Sequence, residues 1–361
     1  MDKDKPLKAV GLMSGGLDST LAAGLLRAQG VEVIGLNFST GFCVTDHHRA
    51  IGRKDDDRNL RNEALRAGAD AGVEVRIIDV ADEYIEMVKR PRHGYGHGAN
   101  PCIDCRIFML NKAREVADAE GAEVIFTGEV LGQRPMSQHR PALDLIERET
   151  GLKGRLLRPL SARRLAPTRA EQEGRLSRDG LLDIKGRSRR EQVRLAADLE
   201  IDDFPQPSGG CCFLADRNFG QRFHDLVREE DAGGRHVGRD EIMMLKVGRH
   251  FRLSPTVKVI VGRNEGENAF LDRYRPGRWR FAAMDVMGPV ALAQGDLDET
   301  MLQTAASITA RYCDTAGPGP SRVGAERYAA GGDLTAPPEE TRILEPVAAP
   351  EALLVSLRVG G

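Results

Sequence analysis

The sequence has no long apolar run. Across its 361 residues nothing approaches the ~20 consecutive apolar positions of a bilayer-spanning helix, and residues 1–8 are too polar for a secretory leader. Cysteine is scarce: six in a chain of this length are too few for a disulfide scaffold. With no export signal the expected compartment is cytoplasmic, where clustered thiols serve metals or catalysis. Lysine is scarce too, supplying only ten of the 52 basic residues. Nor is there an excess of positive charge, since the formal net is −2, which taken whole argues against a nucleic-acid partner. What remains, 41% apolar and 29% charged residues, is the composition of a globular chain long enough for two or three domains.

The distribution of charge points the opposite way from its sum. Residues 153–194 carry thirteen basic against five acidic side chains, and residues 246–280 carry nine against three, leaving −16 for the rest. Local field is what attracts a polyanion, and arginine forks suit phosphate contacts and base stacking. The candidate RNA contacts are Arg163, Arg164, Arg187, Arg189 and Arg190 in the first block. In the second they are Arg249, Arg252, Lys258 and Arg263. The plainer alternative is that arginine-rich helix faces are simply solvated.

Apolar, β-branched runs at residues 8–13, 31–38, 73–80 and 122–130 read as buried strands. Helical periodicity lies between them at 19–29, 58–71 and 105–119. Such alternation predicts an α/β fold with a doubly wound, mostly parallel sheet, whose ligand lies beyond the carboxyl ends of the strands. From 155 onward the pattern is helical and basic, through 168–178 and 188–199. Residues 205–212 are a turn-rich break, and 217–230 a helix. Residues 251–261 and 279–287 read as strands of a second domain. Residues 315–350, rich in Gly, Ala and Pro, read as a loose loop before a last strand at 352–359. The expected division is a domain over 1–220, which includes the basic helical region 153–200 and a cysteine loop 207–213. A connecting helix and linker follow at 221–245, then a smaller α+β domain over 246–361.

Ser14-Gly15-Gly16-Leu17-Asp18-Ser19 follows the first strand and opens a helix. The glycines permit positive φ and close backbone approach, so successive N–H groups can ring a phosphate. Ser14 and Ser19 add hydroxyls, and the helix N-terminus adds partial positive charge. Asp18 can cap the helix or hold a Mg²⁺ that neutralises phosphates. No lysine follows the glycines, so this is not a Walker A loop. The segment resembles the loop of the PP-loop ATP pyrophosphatases, which split ATP to AMP and pyrophosphate, and residues 9–35 look most like the tRNA-thiolating members. The resemblance places Asn37 near the adenosine and makes Thr127-Gly128-Glu129 a second nucleotide contact. Residues 127–138 (TGEVLGQRPMSQ) are similar to a stretch of tRNA 4-thiouridine synthetases, with one extra residue before Ser137, and the unbroken part ends at Gln133. The implied ATP contacts are Ser14, Gly15, Gly16, Asp18, Ser19, Asn37, Gly128, Glu129 and Gln133.

Cys102-Ile103-Asp104-Cys105 opens a helix, and its i, i+3 spacing puts both thiols on one face. Gly209-Gly210-Cys211-Cys212 is a loop whose glycines free the backbone to present a thiol. Three thiolates are one short of a closed zinc site, whereas a [4Fe–4S] cluster on three cysteines leaves one iron open. The 2-thiouridylases carry a similar N-P-x-x-x-C segment and a later G-x-C-F, which map their two cysteines to Cys105 and Cys212. Cys102 stands where those enzymes usually carry Asp, and the resulting CxxC looks like the cluster-bearing tRNA thiolases. Cys102, Cys105 and Cys212 are therefore the candidate cluster ligands and, with Asp18, the candidate catalytic residues, Cys211 being the alternative third ligand. A persulfide pair and a structural zinc are the competing readings. Cys43 and Cys313 read as packed or surface thiols. His93 and His97 flank glycines before the CxxC and shape that loop or ligate a metal. Asp55, Asp56 and Asp57 read as a solvated turn.

Residues 248–268 mix basic side chains with nearby aromatics and resemble the NFACT-R type of RNA-binding domain through Val261-Gly262-Arg263-Asn264-Glu265-Gly266-Glu267-Asn268. Together the resemblances imply an ATP-dependent tRNA sulfurtransferase that adenylates a uridine carbonyl and replaces its oxygen with sulfur at C2 or C4. Its partners would be tRNA and a sulfur donor, either sulfide or a persulfide carrier, with ATP and Mg²⁺ consumed or bound. A homodimer is allowed by the sequence without being required. The alternatives are a PP-loop amidotransferase or ligase using ammonia and a non-catalytic RNA- or ribosome-binding protein.

Overall fold

The computed structural model describes residues 5–43, 62–199, 201, 204, 212–314 and 321–360. These fall into two compact units. One lies within Met1–Thr40, Leu60–Gly96 and Pro101–Gly209, the other within Gly41–Asn59, His97–Asn100 and Gly210–Gly361.

The first unit is built on five parallel strands, β1 (Lys8–Leu12), β2 (Glu32–Ser39), β3 (Glu74–Asp79), β4 (Val124–Thr127) and β5 (Leu156–Leu157), in the order β3-β2-β1-β4-β5. Strands β1, β2 and β4 are apolar on both faces, as a sheet covered on both sides requires. Along β1, β2 and β4 one set of side chains (Ala9, Val33, Val124, Phe126) packs with Ala22, Ala23 and Leu26 of α1 (Leu17–Arg27) and Ala67 of α2 (Glu63–Asp70). The alternate set (Val10, Leu12, Ile34, Leu36, Ile125) packs with Leu110, Ala113 and Ala117 of α4 (Cys102–Glu120) and Ile146 of α5 (Arg140–Thr150). That is the period of two of a strand read on each face. Helix α3 (Ala81–Lys89) follows β3.

The basic region departs from the long helices expected of it. Pro159 opens a 3₁₀ turn (Pro159–Arg164), and α6 spans only Arg169–Gln172 before Gly174 takes φ +71°. A second 3₁₀ turn (Arg178–Gly180) and α7 (Arg190–Asp198) complete the run. Prolines and glycines divide what the charge pattern joins.

The second unit is an antiparallel six-stranded sheet, β6 (Arg249–Ser254), β7 (Val257–Val261), β8 (Trp279–Ala283), β9 (Val290–Gln294), β10 (Val323–Arg327) and β11 (Glu340–Leu344), in the order β11-β10-β8-β9-β7-β6. Helices α8 (Arg217–Asp231), α9 (Arg239–Met244), α10 (Glu265–Asp272), α11 (Glu299–Arg311) and α12 (Glu351–Leu357) accompany it. Phe251, Val259, Phe281 and Ala293 face α11 and α12, while Ile260 and Leu292 face α9 and α10. Residues 251–261 form not one strand but a hairpin. Residues 315–350, expected to be loose, contain β10, which pairs with β8, and β11 at the sheet edge. The expected last strand is the helix α12: Leu354 is buried in the core while Leu353 and Leu357 pack against it, a helical spacing. The turn-rich stretch 205–211 and the acidic turn 55–57 lie outside the described residues. Among the described residues no helix is long and apolar enough to cross a membrane.

Candidate functional site

Residues 13–16 turn the chain from β1 into α1. Gly15 has φ +78°, and a Cβ there would lie 2.5 Å from the backbone carbon of Glu63, so no other residue fits. Gly16 caps α1 without a side chain. The Ser14 hydroxyl lies 3.4 Å from both the Gly16 amide and the Ser19 hydroxyl, and Ser19 Oγ donates to the Gly16 carbonyl at 2.8 Å. The first amides of a helix have no partner within it. They face outward with the positive end of the macrodipole, the arrangement an anion needs. Asn37, expected near adenosine, donates to the Met13 carbonyl at 2.8 Å and so fixes the entry to the turn.

Asp18 is half-used. Its Oδ2 accepts from Gln133 Nε2 at 3.0 Å, while Oδ1 is buried with no hydrogen-bond partner. A buried carboxylate oxygen left over beside a phosphate cradle is what a hard divalent cation ligates, so the residue fits Mg²⁺.

The loop after β4 is pressed onto the start of α1. A Cβ on Gly128 would lie 2.5 Å from the Asp18 carbonyl carbon and the Ser19 nitrogen. Glu129, expected to touch nucleotide, is instead committed to protein. It is 3% exposed, with Oε2 3.1 Å from Arg158 Nε and 3.2 Å from the Thr127 hydroxyl, and Oε1 3.2 Å from Arg106 Nε. Burial disfavours its charge, but Arg106, Arg158 and the Thr127 hydroxyl prevail and hold its carboxyl below the ordinary glutamate value. Arg158, 1% exposed, also pairs with Glu147. Neither arginine stands out in the sequence, because each meets Glu129 only through the fold.

Arg106 follows the CxxC directly. Cys102 is the first residue of α4, and the Cys105 amide donates to the Pro101 carbonyl at 2.8 Å. Asp104 between the thiols is 8% exposed and fastens the preceding loop, accepting from the Arg92 amide (3.1 Å) and the His93 amide (2.9 Å), with His93 Nδ1 at 3.1 Å. His93 Nε2 is 3.5 Å from Glu149, so this histidine shapes the loop. The first turn of α4 is thus tied, through Arg106–Glu129 and the adjoining Gly128, to Asp18 of the phosphate turn.

In the second unit, Cys212 is extended (φ −149°, ψ 157°) and stands opposite Cys43 in an isolated antiparallel bridge. Cys43, expected to be solitary, has this neighbour because of a pairing no local pattern announces. Cys313 is packed, 7% exposed, with Sγ 3.4 Å from the Thr309 carbonyl. The Ala99 amide donates to the Leu214 carbonyl at 2.9 Å. Gly98, at φ +66°, leaves no room for a Cβ, which would lie 2.6 Å from that same oxygen. Cys211 lies outside the described residues. Among the described residues no three His, Cys, Asp or Glu side chains converge as a metal site.

Arg163, Arg164, Arg187 and Arg190 are exposed and Arg189 half-buried. Arg164 also contacts Asp183 at 3.1 Å. In the second unit Arg263 is exposed but pinned to Glu267 at 2.7 Å, and Arg249 stacks 4.4 Å over the Tyr312 ring. Two candidates are corrected. Lys258 is 3% exposed and lies 3.0 Å from Asp225, burial pulling its pKa down to about 8 against the attraction of that carboxylate. Arg252 contacts Asp225 at 2.6 Å and Glu229 at 2.7 Å. Both cations neutralise buried carboxylates of α8 and have no charge to spare for RNA phosphates.

A parallel sheet with a glycine–serine phosphate turn at the carboxyl end of β1 defines the PP-loop class. Residues 6–163 match the family model described as Thiamine biosynthesis protein (ThiI), and residues 248–332 match that of the NFACT protein RNA binding domain. The two matches cover separate stretches of the chain, each less than half of it. The chain is 32% identical over 130 residues to the tRNA-specific 2-thiouridylase MnmA of Syntrophotalea carbinolica, covering 35% of each chain. It is 32% identical over 133 residues to that of Petrotoga mobilis, covering 34% of this chain and 35% of the relative. The match thus spans about a third of these curated relatives. A 4-thiouridine synthetase–RNA complex with bound ATP aligns at 20% identity and a TM-score of 0.36, over 65% of this chain and 53% of that one.

Proposed function

We propose that the protein is an ATP-dependent tRNA sulfurtransferase making thiouridine. A uracil carbonyl oxygen is a poor leaving group and must first become a phosphoester. The turn over residues 14–19 would hold the triphosphate while the carbonyl oxygen attacks the α-phosphate, releasing pyrophosphate and leaving an adenylated base. Sulfur then attacks the activated carbon and AMP departs. This phosphoryl step calls for positioning and charge neutralisation, which amides, hydroxyls and the dipole of α1 supply. Mg²⁺ on Asp18 would neutralise phosphate charge.

The observation that carries the reading is the Arg106–Glu129 pair at 3.2 Å. It braces the helix turn bearing Cys102 and Cys105 to the loop that packs on Asp18, so thiol chemistry and phosphate chemistry share one support. In the first form of the proposal the sulfur is carried as a persulfide on Cys105 or Cys212. After it has attacked the carbon, the other thiolate cleaves the S–S bond, thiouridine is released, and the cysteine disulfide left behind is reduced by an external dithiol. The second is a [4Fe–4S] cluster on Cys102, Cys105 and Cys212, with Cys211 as the alternative third ligand. The extra thiol of Cys102 speaks for it, and the lack of three converging ligands among the described residues speaks against it. Iron and sulfide quantitation of anaerobically purified protein separates the two. The exposed arginines Arg163, Arg187 and Arg190, together with Arg249 and Arg263, would hold the tRNA backbone while the target base is flipped out. A cytoplasmic location and a sulfide or persulfide donor accompany this reading.

The test is alanine replacement at Cys102, Cys105 and Cys212 with thiolation and tRNA binding both measured. Each variant should lose thiolation and retain binding. Full thiolation by any one removes that residue from the mechanism.

A further inference from the structure

Cys43 and Cys212 stand opposite each other in an antiparallel bridge, and the hydrogen bonding tells which kind of pair they form. The Phe213 amide, one residue after Cys212, donates to the Phe42 carbonyl, one residue before Cys43, at 3.0 Å. A bond flanking the pair in this sense marks the non-hydrogen-bonded position, where Cα atoms approach to ~4.5 Å and both side chains leave the same face. That separation falls inside the ~4.4–6.8 Å range a disulfide tolerates. Both partners are half-buried.

Their backbones are also firmly held. Phe42 is fully buried, its ring 6.1 Å from those of Phe219 and Phe223. Lys246, 6% exposed, donates to the Gly41 carbonyl at 2.6 Å and sits 5.3 Å over the Phe213 ring. One buried ammonium therefore anchors the segment two residues before Cys43 and the residue after Cys212.

We propose that Cys43 and Cys212 form a cross-strand dithiol that a glutathione-type disulfide closes to a protein disulfide, withdrawing Cys212 from sulfur transfer. One thiolate attacks the external disulfide and releases the first small thiolate. The other then attacks the protein sulfur of that mixed disulfide and releases the second. Two electrons pass from the cysteine pair to the external disulfide, and the two protons leave with the two small thiols. A reducing dithiol reverses the change. The pairing stands on geometry alone, whereas the loss of activity rests on the proposed role of Cys212.

The test incubates the full chain with oxidised glutathione, alkylates residual thiols and maps peptides without reduction, while thiolation is assayed in parallel. The expected result is a Cys43–Cys212 linked peptide whose yield tracks the loss of thiolation and is reversed by dithiothreitol. In Cys43→Ser and Cys43→Ala, folding confirmed by thermal melts, the linked peptide should be absent and Cys212 should remain alkylatable. Cys212 recovered only with Cys102, Cys105, Cys211 or glutathione would overturn the pairing, even if thiolation still requires Cys212. A Cys43–Cys212 disulfide that leaves thiolation unchanged would overturn the inhibition and the assigned role of Cys212 together.

Discussion

Two carboxylates of the first unit sit a few residues from one another in space and are used in opposite ways. Asp18 Oδ1 and Glu129 Oε1 are both buried without a hydrogen bond. Each Glu129 oxygen nevertheless faces an arginine, Oε1 at 3.2 Å from Arg106 Nε and Oε2 at 3.1 Å from Arg158 Nε, whereas Asp18 meets the neutral amide of Gln133. Asp18→Asn should therefore leave the fold intact and slow ATP-dependent pyrophosphate release by about two orders of magnitude, the scale of losing one preorganised electrostatic group; a malachite-green assay with pyrophosphatase reads it. Glu129→Gln should instead cost about 1–3 kcal/mol in urea unfolding, because it leaves Arg158 with Glu147 alone and takes the carboxylate from Arg106. Since the folded pKa of Glu129 lies below its unfolded value, its contribution is present above the ordinary glutamate pKa of ~4.3 and disappears as pH falls through the lower folded value. The wild type should lose stability across that window, and the Gln variant should lose less. The place of Asp18 at the glycine–serine turn is legible in the sequence because such a turn is local. The commitment of Glu129 and Lys258 is not, because Arg158 lies 29 positions after the one and Asp225 33 before the other.

At the scale of elements, strands buried on both faces announce themselves as continuous apolar runs, so β1, β2 and β4 are readable. Edge and terminal elements are not. β11 alternates, with Ile343 53% exposed, and has only β10 to pair with. Helix α12 is short, carries Val355 on its exposed side and is seated from outside, since the Ala349 amide just before it bonds the Ser307 carbonyl of α11. The basic block divides similarly: charge count marks where phosphate could bind, and burial decides which charges can reach it. Glutamate at Arg163, Arg187 or Arg190 should weaken tRNA binding and flatten its salt dependence by about 0.7–0.9 in log–log slope for each phosphate no longer neutralised. Lys258→Met should leave that slope unchanged while lowering the melting temperature, because it removes a cation from Asp225. Filter binding across a salt series reads both slopes, and a thermal melt reads the stability.

For the whole molecule, charge is partitioned rather than balanced: two arginine-rich stretches stand against an acidic remainder in a chain of net −2. A glycine–serine turn at a helix start, a braced CxxC and a stretch that matches the NFACT protein RNA binding domain are parts whose joint use is hardest to explain for an enzyme of small molecules alone. They are readily explained if the substrate is an RNA base activated by adenylation. The direct measurement is nucleoside mass spectrometry of tRNA incubated with the purified protein, ATP, a dithiol reductant and, in separate reactions, sulfide or a persulfide donor, with AMP and pyrophosphate counted in the same reaction. Thiouridine formed in step with AMP and pyrophosphate is the predicted result. ATP cleavage that incorporates ammonia, or tRNA left without sulfur in the presence of every substrate, would contradict it.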